Sequence, residues 1–329
     1  IRHQMRTRAG RLLRRACLSL IAAAVLPAVA HAEWPDRPVH LVVPFPPGSS
    51  PDLLARTIAE PLGQALGQSI VVDNKPGAGG NIAAQAVATA APDGRTLLVC
   101  YTSHAINATL YPNLPFDPVK DFSPVSSVAT APSILLAHPS VPASTVPELI
   151  ALAKKEPGKL NMALPGIGSA GHLGGEVLKL QAGIDMVMVP YKGTAPAMTD
   201  LLGGQVQLMF AGAALAKGQI QAKSLKPLGI SSARRMENYP DIPPIADTLP
   251  GYDFSAWYGL LGPKGMDPKR VAQLSQATVK VLSEPGNKKR LMDEGLITTG
   301  GTPEQFSAFV QEEVVRWGKV VQASGAKAG

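Results

Sequence analysis

Apolar and polar positions follow two periods along this chain. Short apolar runs recur at 39–45, 69–73, 96–101, 133–138, 160–164, 186–191, 206–210, 226–231 and 255–262. Between them, apolar residues return every three or four positions over 51–66, 80–90, 145–156, 170–182, 195–203, 213–222, 267–284, 287–294 and 303–323. The first pattern predicts buried strands and the second predicts helices. Alternation of the two along most of the chain implies mostly parallel sheets flanked by helices, an α/β fold. Helix 51–66 is the best marked, with Leu54, Ile58, Leu62 and Leu66 on one stripe. Ser50 and Pro51 supply its start signal. In 303–323 the stripe Phe306, Phe309, Val310, Val314, Trp317 reads as packing rather than membrane association.

Residues 1–32 form a separate pattern. Six arginines (Arg2, Arg6, Arg8, Arg11, Arg14, Arg15) precede an apolar run from Ala16 to Ala30, and Ala30-His31-Ala32 fits a small-residue cleavage site. An export signal removed after about Ala32 is expected. Ordinary secretion fits better than the twin-arginine route, because Cys17 and the residues after it suit that motif poorly. The leader also carries the charge. The whole chain has 31 basic and 24 acidic residues, and six of the basic ones are leader arginines. The remainder is nearly neutral and offers no basic patch for nucleic acid. Of two cysteines only Cys100 lies beyond the leader, so no internal disulfide is expected there. Its apolar run makes it a buried small residue. The 297 residues that remain suit two lobes, 33–132 plus 255–329 and 133–254.

The chemistry sits in turns. Pro44-Phe45-Pro46-Pro47-Gly48-Ser49-Ser50-Pro51-Asp52 joins a strand to a helix, and so does Gly166-Ile167-Gly168-Ser169-Ala170-Gly171-His172. Small residues there expose N–H groups at the positive end of a helix, which favours an anion. The second turn matches a dinucleotide loop literally. However, the acid that would hold a ribose belongs after the next strand, and Asp185 precedes that strand. No cofactor is expected. An anion or ligand turn is the favoured reading of 166–172, with plain tight-turn geometry the alternative. For Lys75-Pro76-Gly77-Ala78-Gly79-Gly80-Asn81 a tight turn into a helix is at least as good a reading as ligand contact. Beyond the leader His40, His104, His138 and His172 show no metal spacing. No carboxylate pair stands ready for acid–base work. Open α/β sheets bind ligands beyond the carboxyl ends of their strands. The loops 45–52, 75–81, 101–104, 165–172, 191–194 and 211–213 are therefore expected to line one cleft. Anion turns without catalytic groups point to a carboxylate receptor, not an enzyme.

Taken in order, several segments resemble the tripartite tricarboxylate transporter receptors, also called the Bug family of periplasmic solute-binding proteins. They include Trp34-Pro35-Asp36-Arg37-Pro38-Val39, Val43-Pro44-Phe45-Pro46-Pro47-Gly48, Asn74-Lys75-Pro76-Gly77-Ala78-Gly79-Gly80-Asn81 and Pro92-Asp93-Gly94-Arg95-Thr96. Further on come Leu114-Pro115-Phe116-Asp117-Pro118, Val189-Pro190-Tyr191-Lys192-Gly193 and Asp200-Leu201-Leu202-Gly203-Gly204. The resemblance implies a two-lobed flytrap fold. It implies a monomeric periplasmic receptor that hands a small organic acid to a permease of one large and one small membrane subunit. It places the anion against Gly48, Ser49 and Ser50, with Thr102 and Ser103 as hydroxyl donors, and against Gly168, Ser169 and His172 on the second lobe. The strand-end loops add Phe45, Pro47, Asp52, His104, Gly166, Tyr191, Gly193, Thr194, Ala211 and Gly212 as expected ligand contacts.

Two departures from the family pattern stand out. Gly48-Ser49-Ser50-Pro51-Asp52 replaces a turn that usually begins Gly-Gly and runs through Thr to Asp. Ala211-Gly212 stands where many relatives have an aspartate, which predicts a ligand without a primary amine, such as a di- or aromatic carboxylate. Two rival functions use the same residues. One is a secreted hydrolase with Ser169 or Ser49 as nucleophile. The other is a ligand sensor that regulates a membrane kinase.

Overall fold

A computed structural model describes residues 34–165 and 169–325. The predicted leader, Gly166 and Gly168 lie outside the described residues. The chain divides into two units, 1–36 and 37–329, and every described strand and helix lies in the second.

Ten strands alternate with helices in this unit. In order they are β1 (Val39–Val43), α1 (Ser50–Leu66), β2 (Ile70–Asn74), α2 (Asn81–Ala88), β3 (Thr96–Tyr101), α3 (Ser103–Leu110) and β4 (Phe122–Ala137). Next come α4 (Val146–Lys155), β5 (Asn161–Leu164), α5 (Ala170–Ala182), β6 (Val187–Pro190), α6 (Thr194–Leu202), β7 (Leu208–Gly212), α7 (Ala213–Gln221) and β8 (Lys226–Ile230). The chain closes with β9 (Ser255–Pro263), α8 (Pro268–Ser283), α9 (Pro285–Asp293), β10 (Ile297–Thr298) and α10 (Pro303–Ser324). The α1 stripe is buried as its periodicity predicts, and Gly67 ends the helix in the left-handed region at φ 69°. At α10, Thr302 and Gln305 form a reciprocal capping box.

The sheet order is β2-β1-β3-β9-β4-β7-β5-β6, with β8 and β10 also on β4. Outer strands pair in parallel, β1 with β2 and β3, and β5 with β6 and β7. The two long strands β4 and β9 pair antiparallel with every partner described. The sheet is thus more mixed than uniform alternation implies. The reason is β4, which begins eleven residues before its predicted start at 133. Its first half pairs with β9 and its second half, from Ser133, with β7 and β8. Pro124 and three serines obscure the first half in the sequence. The strand accommodates them with register shifts at Pro124/Ser126 and Ser127/Ala129.

A buried polar cluster clasps the region where β4 and β9 meet α10. The Nε1–H groups of Trp257 and Trp317 both donate to Glu313 Oε2 at 2.7 Å, and Arg316 donates to Oε1 at 2.9 Å. Arg316 also donates to the Asp253 carbonyl, and the Tyr252 hydroxyl donates to the Gly174 carbonyl of α5 at 3.0 Å. Gly174 lets α5 approach this closely, since a Cβ there would lie 2.4 Å from the Phe254 ring. One helix thereby ties together the segment that leads out of β8 and back into β9.

His104 of α3 has a structural setting. Its Nε2–H donates to the Pro118 carbonyl at 2.8 Å, and its ring lies against Phe116 and Phe122. Burial lowers its pKa to about 4.

Two measurements probe this packing. Glu313→Ala leaves two buried indole N–H groups without an acceptor, so urea unfolding should show a loss of about 3–5 kcal/mol. The exposed neighbour change Glu312→Ala should stay within about 0.5 kcal/mol; a Glu313→Ala loss below about 1 kcal/mol contradicts the clasp. Acid sensitivity is the second. The folded chain keeps His104 neutral down to about pH 4, whereas the unfolded chain protonates it near 6.5. Its contribution is whole above pH 6.5 and declines toward pH 4 by up to about 1.4 kcal/mol per unit. The fall in urea midpoint from pH 7.5 to 4.5 should be smaller in His104→Gln; an equal fall contradicts the assignment.

Candidate ligand site at the strand crossover

Register locates the site. Tyr101 at the end of β3 pairs with Tyr258, and Tyr258 pairs with Ala129 of β4. From the other side, Gly212 at the end of β7 pairs with Ser133 of the same strand. Ala129 and Ser133 are about 13 Å apart at 3.3 Å per residue. The carboxyl ends of β1 and β3 thus face those of β5, β6 and β7 across one short stretch of β4. Each of these strands leads into a helix, so the N-termini of α1, α3, α5, α6 and α7 open toward the same place. Their unpaired N–H groups and dipoles give that place a positive potential.

The first turn is held by a buried carboxylate. Asp52, 1% exposed, accepts from Gly48 N–H at 2.8 Å, from Arg56 Nε and from Asn74 Nδ2 at 2.9 Å. Asn74 also donates to the Phe45 carbonyl at 3.0 Å. Burial alone would raise the Asp52 pKa, but hydrogen bonds from Arg56, Gly48 and Asn74 outweigh it and hold the group below its usual range. These bonds change one expectation. Gly48 N–H faces Asp52, so Asp52 shapes the turn and Gly48 gives it its φ of 81°. Donors further along the turn remain. Ser49 is the α1 N-cap residue, but its hydroxyl caps nothing. Its Oγ is buried and has no hydrogen-bond partner. Ser50 stands exposed at the first helical position, near Tyr258. Pro47 is exposed and Phe45 partly so.

At β3 the Thr102 hydroxyl oxygen accepts from Trp257 N–H at 2.9 Å, which leaves its O–H to donate elsewhere. Ser103 is buried, with its hydroxyl beside Gly80. His104 turns into the wall described above. Across the crossover, Ser169 is the α5 N-cap and accepts from His172 N–H at 3.2 Å. That is a capping bond, not a nucleophile–base pair. Burial lowers the His172 pKa. The Tyr191 hydroxyl donates to Asp200 at 2.7 Å, while Gly193 and Thr194 open α6. Ala211 is buried and Gly212 exposed, with no side-chain acid at either position.

Charge in these loops is sparse. Among their described residues Lys75 and Lys192 are the only lysines or arginines, and both are exposed. Among the described residues no cluster of three His, Cys, Asp or Glu fits a metal, and no helix is long and apolar enough to cross a membrane. Cys100 is buried and burial raises its thiol pKa, so it is not a ready nucleophile. One aromatic residue escaped the sequence reading, Tyr258, which sits inside an apolar strand run and looks like core. Only the register brings it beside Tyr101, which the reading placed in the 101–104 loop.

Comparison with known proteins agrees with this architecture. BugT of Bordetella pertussis is 35% identical over 320 residues, covering 96% of this chain and 98% of that one. The structure of Rpa4515 of Rhodopseudomonas palustris with adipate is 35% identical, with a TM-score of 0.78 over 90% of this chain and 99% of that one. MatC of the same organism, solved with bound malate, is also 35% identical, with a TM-score of 0.73 over 88% of this chain and all of that one. These are binding proteins, and this chain shares their α/β periplasmic binding-protein fold, not that of a hydrolase. Residues 54–326 match the family described as tripartite tricarboxylate transporter family receptor, and the chain belongs to it.

Proposed function

We propose that this receptor captures a small organic carboxylate at the β4 crossover and delivers it to a two-subunit membrane permease. The chain is exported to the periplasm and loses its leader after about Ala32. It works as a monomer of two lobes, 33–132 plus 255–329 and 133–254, which close on the ligand. Trading of β4 partners at Ser133 supports that boundary. Adipate and malate in relatives of 35% identity support the ligand class.

The observation that carries the reading is the convergence of helix N-termini on a turn whose Ser49 hydroxyl is buried without a partner. A carboxylate oxygen supplies the acceptor that this hydroxyl lacks. From the first lobe Ser49 and Ser50 hold the anion, with Thr102 and Ser103 behind them. From the second, Ser169 and His172 at the start of α5 hold it, and Gly166 and Gly168 are further proposed contacts. Charge-assisted bonds of this kind contribute roughly 1.5–3 kcal/mol each. Lobe closure and ligand ordering oppose them.

Ser49→Ala should therefore weaken binding of adipate about tenfold or more in calorimetry. The melting temperature of the unliganded variant should stay within about 2 °C, because no protein partner is lost. Unchanged affinity contradicts the role. With Ala211 and Gly212 in place of an acid, succinate should bind more tightly than aspartate; the reverse order contradicts an amine-free ligand.

A further inference from the structure

Three rings stand in one row on the first side of the crossover, with Phe45 and Tyr101 partly exposed and Tyr258 buried behind them. Phe45 and Tyr101 meet edge to face, centroids 5.6 Å apart at 86°. Tyr101 and Tyr258 lie 5.1 Å apart, tilted by 45°. Tyr101 and Tyr258 are register partners, and Phe45 follows β1 at the level of Tyr101. The row is anchored from below and beside. Asn74 pins the Phe45 carbonyl, and Tyr258 is buried with its phenol at Ser50. Phe45 and Tyr101 are only partly buried. The rings therefore stand next to the first turns of α1, where Ser49 carries its unpartnered hydroxyl. Burial raises the Tyr101 phenol to about 12, so it stays neutral and puts no charge beside an anion.

We infer that Phe45 and Tyr101, backed by the buried Tyr258, select the body of the ligand, and that the receptor prefers a carboxyl group attached to a flat, aromatic ring over one attached to a saturated body of the same size. The inference rests on the carboxylate reading above and deepens it. Fixed rings at edge and tilted angles offer faces and edges to another flat ring. A puckered ring of equal carbon count is thicker and has no π face, so it fits the same gap less well. Geometry-specific ring contacts change affinity by roughly two- to twelvefold beyond what buried area gives. The cradle contains no lysine, arginine, aspartate or glutamate, in keeping with an uncharged body.

Matched pairs of acids test this with the unmodified protein. Benzoate is compared with cyclohexanecarboxylate, and terephthalate with trans-cyclohexane-1,4-dicarboxylate, by calorimetry, with adipate as a carboxylate control. The expected result is at least fivefold tighter binding of the aromatic member of at least one pair. Tyr101→Leu should erase that ratio, and Tyr101→Phe should keep it whatever happens to absolute affinity. Equal or tighter binding of both saturated members overturns the inference. Binding of adipate with all four ring acids silent overturns the inference alone and leaves the carboxylate reading standing. Silence of all five acids overturns both.

Discussion

One strand sets the geometry. Because β4 runs through two differently partnered halves, strands on either side of it must end near the same four-residue stretch. Parallel strands leave their following helices with N-termini at the carboxyl edge. Two such edges brought face to face make a region rich in unpaired N–H groups and poor in charge. The turns do not need lysine or arginine to attract an anion, because aligned peptide dipoles already favour it. The Glu313 clasp holds the chain where it passes from one half back to the other.

In the turn at 45–52 a buried carboxylate side chain shapes the backbone at the start of α1. Asp52 is surrounded by donors from Gly48, Arg56 and Asn74. Its charge is offset locally, and its bonds fix the direction in which Ser49 and Ser50 point. The shape of the turn thus depends on a scaffold that spans β1, β2 and α1 rather than on the turn alone.

Much of this was legible in the sequence. Helix α1 announced itself by a four-residue stripe and a Ser-Pro start, although the N-cap is Ser49, one residue before the expected Ser50. The parallel outer strands followed from continuous apolar runs. The first half of β4 did not, because Pro124 and its serines carry no strand signal and are held by bulges and by a partner 130 residues away. Helix α3 was hidden for a different reason, being short and built from mixed small residues. At the site, strand-to-helix turns gave the positions of Ser49 and Ser169. Which N–H faces outward was not legible: Asp52 takes Gly48, a choice set by side-chain geometry. Tyr258 was equally hidden, since cross-strand register, not spacing along the chain, makes it a neighbour of Tyr101.

A crystal structure of the protein grown with adipate is the most direct measurement of the central claim. The account predicts a carboxylate oxygen within about 3.2 Å of Ser49 Oγ, at the N-terminus of α1. Adipate seated instead in the open groove between α5 and α10, beside Val177 and Val315, with Ser49 still unpartnered, would contradict it.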